Sequence, residues 1–246
     1  MNPSLFAQLT WFDWALAALC AWLVGVAKTG LPGVGILVVP IMVLLIGDAR
    51  LAAGCLLPLL CLADVFAVLY WGRHAAAWRL FRLAGWVLVG IAAGAAALAW
   101  DEKKLRPLVA AVIFAMLALY LWRKYRNPAD LTPHPALYGV TAGFATTIAN
   151  AAGPVMNLYL LSQRLPKEEF VATGAWFFFS INLTKLPVYA WHGMINRQSL
   201  TFDALLAPAV ALGALSGRWL LTHIPERWFE LAVLSLTALS TLLLLR

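Results

Sequence analysis

The sequence predicts an all-α membrane protein with a two-fold internal repeat and about eight transmembrane segments, the first and fifth broken or re-entrant, arranged as inverted repeats. Three observations lead there. Of 246 residues, 63% are hydrophobic and only 12% charged, which is more apolar surface than one soluble core hides. Several apolar runs reach the roughly 20 residues that cross a ~30 Å hydrocarbon core. The two halves also match each other at a constant offset of 120 residues.

The apolar runs fall at 12–46, 51–71, 83–100, 107–122, 136–163, 170–191, 203–221 and 228–245. Six have the length of one spanning helix. The first and fifth are too long for that; the first, 35 residues, would be about 52 Å long as one helix. Both are interrupted, the first by Lys28-Thr29-Gly30-Leu31-Pro32-Gly33-Val34-Gly35 and the fifth by Asn150-Ala151-Ala152-Gly153-Pro154. Gly and Pro together break a helix. Each long run is therefore expected to form two short half-helices meeting at a turn within the membrane, where such backbone needs protein or a water-filled cavity around it.

At the repeat offset Gly33 answers Gly153, Ala52 answers Ala172, Gly54 answers Gly174 and Trp71 answers Trp191. Matches of Leu45 with Leu165, Ala84 with Ala204 and Arg126 with Arg246 add less. The repeats run 12–126 and 132–246 within one integral membrane domain covering 1–246. If each broken run folds back as a hairpin, every repeat crosses three times and the second is upside down. That arrangement places nine loop cations on one side and six on the other, whereas single crossings split them eight to seven. Positive-inside bias thus favours inversion, with the loops at 72–82 and 123–135 in the cytoplasm and both termini outside. The N-terminus, Met1-Asn2-Pro3-Ser4, lacks a basic stretch and a small-residue cleavage site, so the first run is expected to be retained.

Corresponding Gly/Pro-interrupted segments in two repeats point to a transporter's binding site. A half-helix beginning inside the membrane exposes unpaired N–H groups and the positive end of its dipole, which together attract an anion. Gly30, Gly33, Gly35 and Gly153 would let a ligand approach that backbone, with Thr29 beside them. The competing reading is that such glycines only allow close helix packing, which suits isolated residues such as Gly90 and Gly94.

Ionisable residues inside spans are expensive and hence functional candidates. Lys28 adjoins the first turn, and Asp64 lies deep in the 51–71 run, where its carboxylate needs a partner or a proton. Asp64 is the candidate for proton coupling, or for an ion pair with Lys28 or Lys185 that an arriving anion displaces. Lys185 shares a helix face with Asn182 at i, i+3. With Asn150 and Asn157 near the second turn, these residues form a donor-rich set suited to an oxyanion.

Other conspicuous residues take plainer readings. Trp11, Trp14, Trp71, Trp78, Trp100, Trp122, Trp191 and Trp228 lie near span ends, as interface anchors do. Cys20, Cys55 and Cys61 fall inside apolar runs, with no metal-ligand spacing beside them. The net charge of +7 comes from scattered Lys and Arg, which orient a membrane protein and touch anionic lipid heads and do not form a nucleic-acid face. Ser180 has no partner His in its segment and no phosphate-binding GKT/S motif occurs, so neither an intramembrane protease nor an ATP-driven pump is indicated, and no cofactor or metal.

Over essentially its whole length the chain resembles the TauE/SafE sulfite exporter family of small bacterial permeases. The resemblance rests on Gly25-Val-Ala-Lys28 to Gly35, Val39-Pro40, then Gly54, Pro58 and Asp64, and Tyr70-Trp71-Gly72-Arg73, with Gly153, Gly174, Lys185 and Tyr189 to Gly193 in the second copy. It implies a multi-pass protein of the bacterial inner (plasma) membrane, a secondary transporter that exports sulfite, a sulfonate or a related organic anion. Coupling to protons or to membrane potential is expected. The first turn departs from the family's run of glycines, since Lys28 and Pro32 intrude, and the second reads Asn-Ala-Ala-Gly-Pro. A passive anion channel, or a membrane assembly factor or enzyme, is the alternative reading. Expected partners are the anion and membrane lipid, and a homodimer is left open.

Overall fold

The computed structural model describes residues 9–97, 102–126, 134–149 and 152–243, and every regular element among them is helical. In chain order these are α1 (Trp11–Thr29), α2 (Val38–Ile46), α3 (Ala49–Trp71), α4 (Ala77–Ala97), α5 (Glu102–Arg126), α6 (Pro135–Ala149), α7 (Ala152–Ser162), α8 (Lys167–Trp191), α9 (Arg197–His223) and α10 (Glu226–Leu243). Short 3-10 turns occupy Val34–Leu37 and Gly72–His74. Among the described residues four stretches are long and apolar enough to cross a membrane: Trp11–Thr29, Leu51–His74, Pro107–Arg126 and Arg197–His223.

Local chemistry sets the boundaries. Thr10 and Asp13 form a capping box at the start of α1, with the Thr10 N–H donating to Asp13 Oδ2 at 2.8 Å. Pro32 cannot continue that helix, and Gly33 turns the chain with φ 102°, a left-handed conformation that favours glycine. Gly47 (φ 76°) ends α2 in the same way, and the Asp48 carboxylate immediately caps α3 by accepting from Leu51 N–H at 2.8 Å. Asn196 caps α9 by accepting from the N–H groups of Gln198 and Ser199.

The chain divides into two compact units. One comprises residues up to Ala75 together with Ala175–Ile224; the other comprises Ala76–Gly174 together with the stretch from Pro225 onward. The chain passes from the second unit to the first partway along α8.

In the first unit α1 and α9 run in the same direction. Trp14 stacks near Phe202, the Trp22 indole donates to Ser216 Oγ, and Gly30 lies against Gly217. A methyl group on Gly25, Gly30, Gly213 or Gly217 would collide with the facing helix, so these glycines set the separation of the two backbones. Helix α3 is parallel to both, with Gly54 beside Met194 just ahead of α9 and Tyr70 under the Arg218 guanidinium at the far end. Because α3 starts at the end where α1 starts, α2 must fold back between them. Met42, Val38 and Ile46 accordingly join Ala17, Cys20, Cys55 and Leu59 in one apolar core.

The second unit is built from α4 to α7 and α10, with the first part of α8. Helices α4 and α6 are parallel and glycine-seated, with Gly139 against Trp86, Gly143 against Val87 and Ile91, and Gly94 against Thr147. Helix α7 folds back along α6, bringing Tyr159 to 5.6 Å from Tyr138. Both interrupted runs are therefore hairpins.

The helix lengths correct the expectation of two half-helices in each run. The 15 residues of α6 and 11 of α7 fit that description. Helix α1 does not: its 19 residues span about 28 Å, a nearly complete crossing, before the chain turns. Accordingly the first turn lies beside Trp71, the last residue of α3, instead of halfway along the helices. Several boundaries also lie outside the apolar runs. Polar and charged turns extend α4 back to Ala77, α5 to Glu102–Arg126 and, under the Asn196 cap, α9 back to Arg197.

Candidate functional site

Lys28 is in the last turn of α1, where Gly30 and Pro32 stop the helix and leave its ammonium facing α3. Its Nζ lies 2.8 Å from Asp64 Oδ1 and 4.4 Å from the centre of the Phe178 ring. The other carboxylate oxygen, Asp64 Oδ2, accepts from Asn182 Nδ2 at 2.7 Å. Asp64 is wholly buried, and Lys28 is 14% exposed. Three elements thus converge: α1 supplies the cation, α3 the anion and α8 an amide donor. The buried carboxylate is held by the ion pair at Oδ1 and by one hydrogen bond, at Oδ2.

Lys185, one turn beyond Asn182 on α8, is half-buried and close enough to Lys28 for their like charges to act on each other. Two ammonium groups and one carboxylate therefore share one region of the first unit. Asn182 and Lys185 were expected to present donors together, but the Asn182 amide is directed to Asp64. Of the two lysines open to Asp64 as partners, Lys28 takes the ion pair.

Other sequence-predicted residues play different local parts. The Thr29 hydroxyl is fully buried and donates to the carbonyls of Ala214 (2.8 Å) and Gly25 (3.0 Å). Its own carbonyl accepts from the Trp71 indole at 2.8 Å. Gly30 seats against Gly217, as the packing reading of glycine requires, and in the second unit Gly90 seats against Val140 and Gly94 against Thr147. Gly33 makes the turn, and Gly35 faces the Ala27 methyl. Gly153, in the first turn of α7, has open space where a side chain would be. Asn157 is buried and donates to Thr237 Oγ1 at 3.3 Å. Gly153 and Asn157 belong to the second unit, and Asn150 lies outside the described residues.

Two features escape a reading by runs alone. Trp71 is 7% exposed and acts as a buried clasp on the first turn, unlike Trp11, Trp78, Trp191 and Trp228, which are exposed. Asp203 is 6% exposed, and neither of its carboxylate oxygens has a hydrogen-bond partner among the described residues. With an apolar run beginning at 203, Asp203 reads as a helix-end residue. The capping pattern Asn196-Arg197-Gln198-Ser199 was the signal that α9 begins earlier and carries Asp203 inward. The three cysteines are free and buried. Among the described residues no three His, Cys, Asp or Glu side chains gather as a metal site would need.

The sulfite exporter TauE/SafE family model matches residues 17–244. No curated protein and no solved structure matches the chain. The family match takes in both hairpins, the Lys28–Asp64–Asn182 cluster and Lys185, and the helices are those of a multi-pass membrane protein. The chain belongs to the sulfite exporter TauE/SafE family.

Proposed function

We propose that the chain is a secondary transporter that exports a small anion, sulfite or a sulfonate or related organic anion, across the bacterial inner membrane. The observation that carries this reading is the Lys28–Asp64–Asn182 cluster with Lys185 beside it. Lys28 already holds an anionic partner, so a substrate oxyanion exchanges with the Asp64 carboxylate and never meets a bare buried cation. Protonation of Asp64 would free Lys28 for the substrate, which links anion movement to a proton. Asp203, the second buried carboxyl, is the other group open to that role.

The architecture proposed for this activity is an eight-segment inverted repeat, 12–126 and 132–246. Supporting it, the offset of 120 residues maps α1 onto α6 and α4 onto α9, and the parallel pairs are α1 with α9 and α6 with α4. Both interrupted runs fold back, as inversion requires. Inverted repeats supply two equivalent arrangements of one chain, the physical basis of alternating access. In this scheme Gly33 and Gly35 border the substrate path in the first unit.

Flux of labelled sulfite in proteoliposomes tests the assignment. Lys28→Ala and Lys185→Ala should each reduce anion-dependent flux at least tenfold, roughly one lost charge-assisted hydrogen bond. Unchanged flux from both would remove the cluster from the substrate path. Asp64→Asn should make flux insensitive to a pH gradient, with Asp203→Asn as the parallel arm. A passive channel would show no gradient-driven accumulation.

A further inference from the structure

We propose that the second unit holds a separate oxyanion site, formed by Arg164 and Arg227, that takes the phosphate group of an anionic membrane lipid. The site is a cavity of about 340 Å³ whose polar lining is Tyr120, Lys124, Arg164, Glu226, Arg227 and Glu230. Both carboxylates are already engaged. Glu230 Oε1 accepts from the Tyr120 hydroxyl at 2.6 Å and from Lys124 Nζ, and Glu226 Oε1 accepts from the Lys167 N–H at 3.2 Å, capping α8. The two arginines are exposed at the same cavity, and neither side chain has a hydrogen bond or ion pair among the described residues. The lining carries three cations, Lys124, Arg164 and Arg227, against the two engaged carboxylates, and paired guanidinium groups suit a tetrahedral oxyanion, which each can grip through two N–H groups.

Backbone geometry points the same way. Arg164 has φ 51°, the one left-handed non-glycine among the described residues, at the turn after α7 where glycine is the unstrained choice. The strain holds a guanidinium where a glycine would leave a gap. The cavity's depth in the bilayer selects the source of the phosphate. It lies where α5 ends and α10 begins, on helix turns that also carry the exposed rings of Trp122, Tyr125 and Trp228, and such aromatic belts mark the headgroup level. Basic pockets between helix ends at that level fit anionic lipid heads.

The test uses the full chain in nanodiscs of phosphatidylcholine, with and without phosphatidylglycerol. Melting temperature is read together with lipid retention by native mass spectrometry. Phosphatidylglycerol should raise the melting temperature and remain bound, and Arg164→Gly and Arg227→Gln should each weaken retention about tenfold. Arg164→Gly also relieves the backbone strain. Its melting temperature in phosphatidylcholine alone should therefore equal or exceed that of the unmodified chain, so a loss of lipid response is not misfolding. If the double variant responds to phosphatidylglycerol as the unmodified chain does, the site is refuted. If inorganic phosphate alone gives the full stabilisation and phosphatidylglycerol adds nothing, the lipid assignment is overturned.

Discussion

Replacing Lys28 with Met removes the ammonium 2.8 Å from Asp64 Oδ1 and leaves a carboxylate with no exposure to water and the Asn182 amide donating to Oδ2. Breaking a buried pair from one side costs about 3–5 kcal/mol, because the abandoned charge keeps its desolvation penalty. The opposite single change, Asp64→Asn, is milder. Lys28 is 14% exposed and rests over the Phe178 ring, so its charge keeps some solvation and a cation–π contact, and a loss of about 1–3 kcal/mol is expected. The double variant removes both charges, and the two losses should not add: a coupling of about 2–3 kcal/mol should be recovered. Urea unfolding of the purified chain in mild detergent gives all four corners of the cycle. Additivity within about 0.5 kcal/mol would refute the ion pair as an energetic unit. Sulfite flux is the second readout. The double variant should regain stability without regaining transport, because substrate needs the ammonium itself.

Packing between α1 and α9 gives a sharper contrast. Gly213→Leu drives a side chain into the Trp22 backbone and should destabilise by about 3 kcal/mol, the upper part of the overpacking range, while Gly85→Leu, with no neighbour within 4 Å, should be tolerated. Equal melting temperatures for the two variants would contradict the close helix approach. At the first turn, Thr29→Val removes the bond to the Ala214 carbonyl and Trp71→Phe the bond to the Thr29 carbonyl. Each should cost about 1–2 kcal/mol in the same unfolding assay, Thr29→Val by losing a buried hydrogen bond and Trp71→Phe by leaving the Thr29 carbonyl at the helix end without its donor. A neutral result from both would mean the turn is not clasped.

The sequence by itself determined the solvent, the class and the breakpoints. Apolar runs of about 20 residues cross lipid as helices, and the cluster Gly30, Pro32 and Gly33 ends the first one, while Gly153 and Pro154 mark where the second hairpin's returning helix begins. It also singled out Lys28, Asp64 and Lys185, because a charge inside an apolar run is conspicuous without any structure. Partnership was beyond it. Whether Asp64 chose Lys28 or Lys185 depended on which helix faces met, and residues 28, 64 and 182 are brought together only by the folding of three separate elements. The same limit hid Trp71, which reads as an interface anchor until the turn folds under its indole, and Asp203, whose depth followed from a cap at Asn196 outside the apolar run. Hydrophobic periodicity is local and states where the chain enters and leaves the apolar phase. Pairing of polar groups across α1, α3, α8 and α9 is non-local, and only tertiary structure decided it.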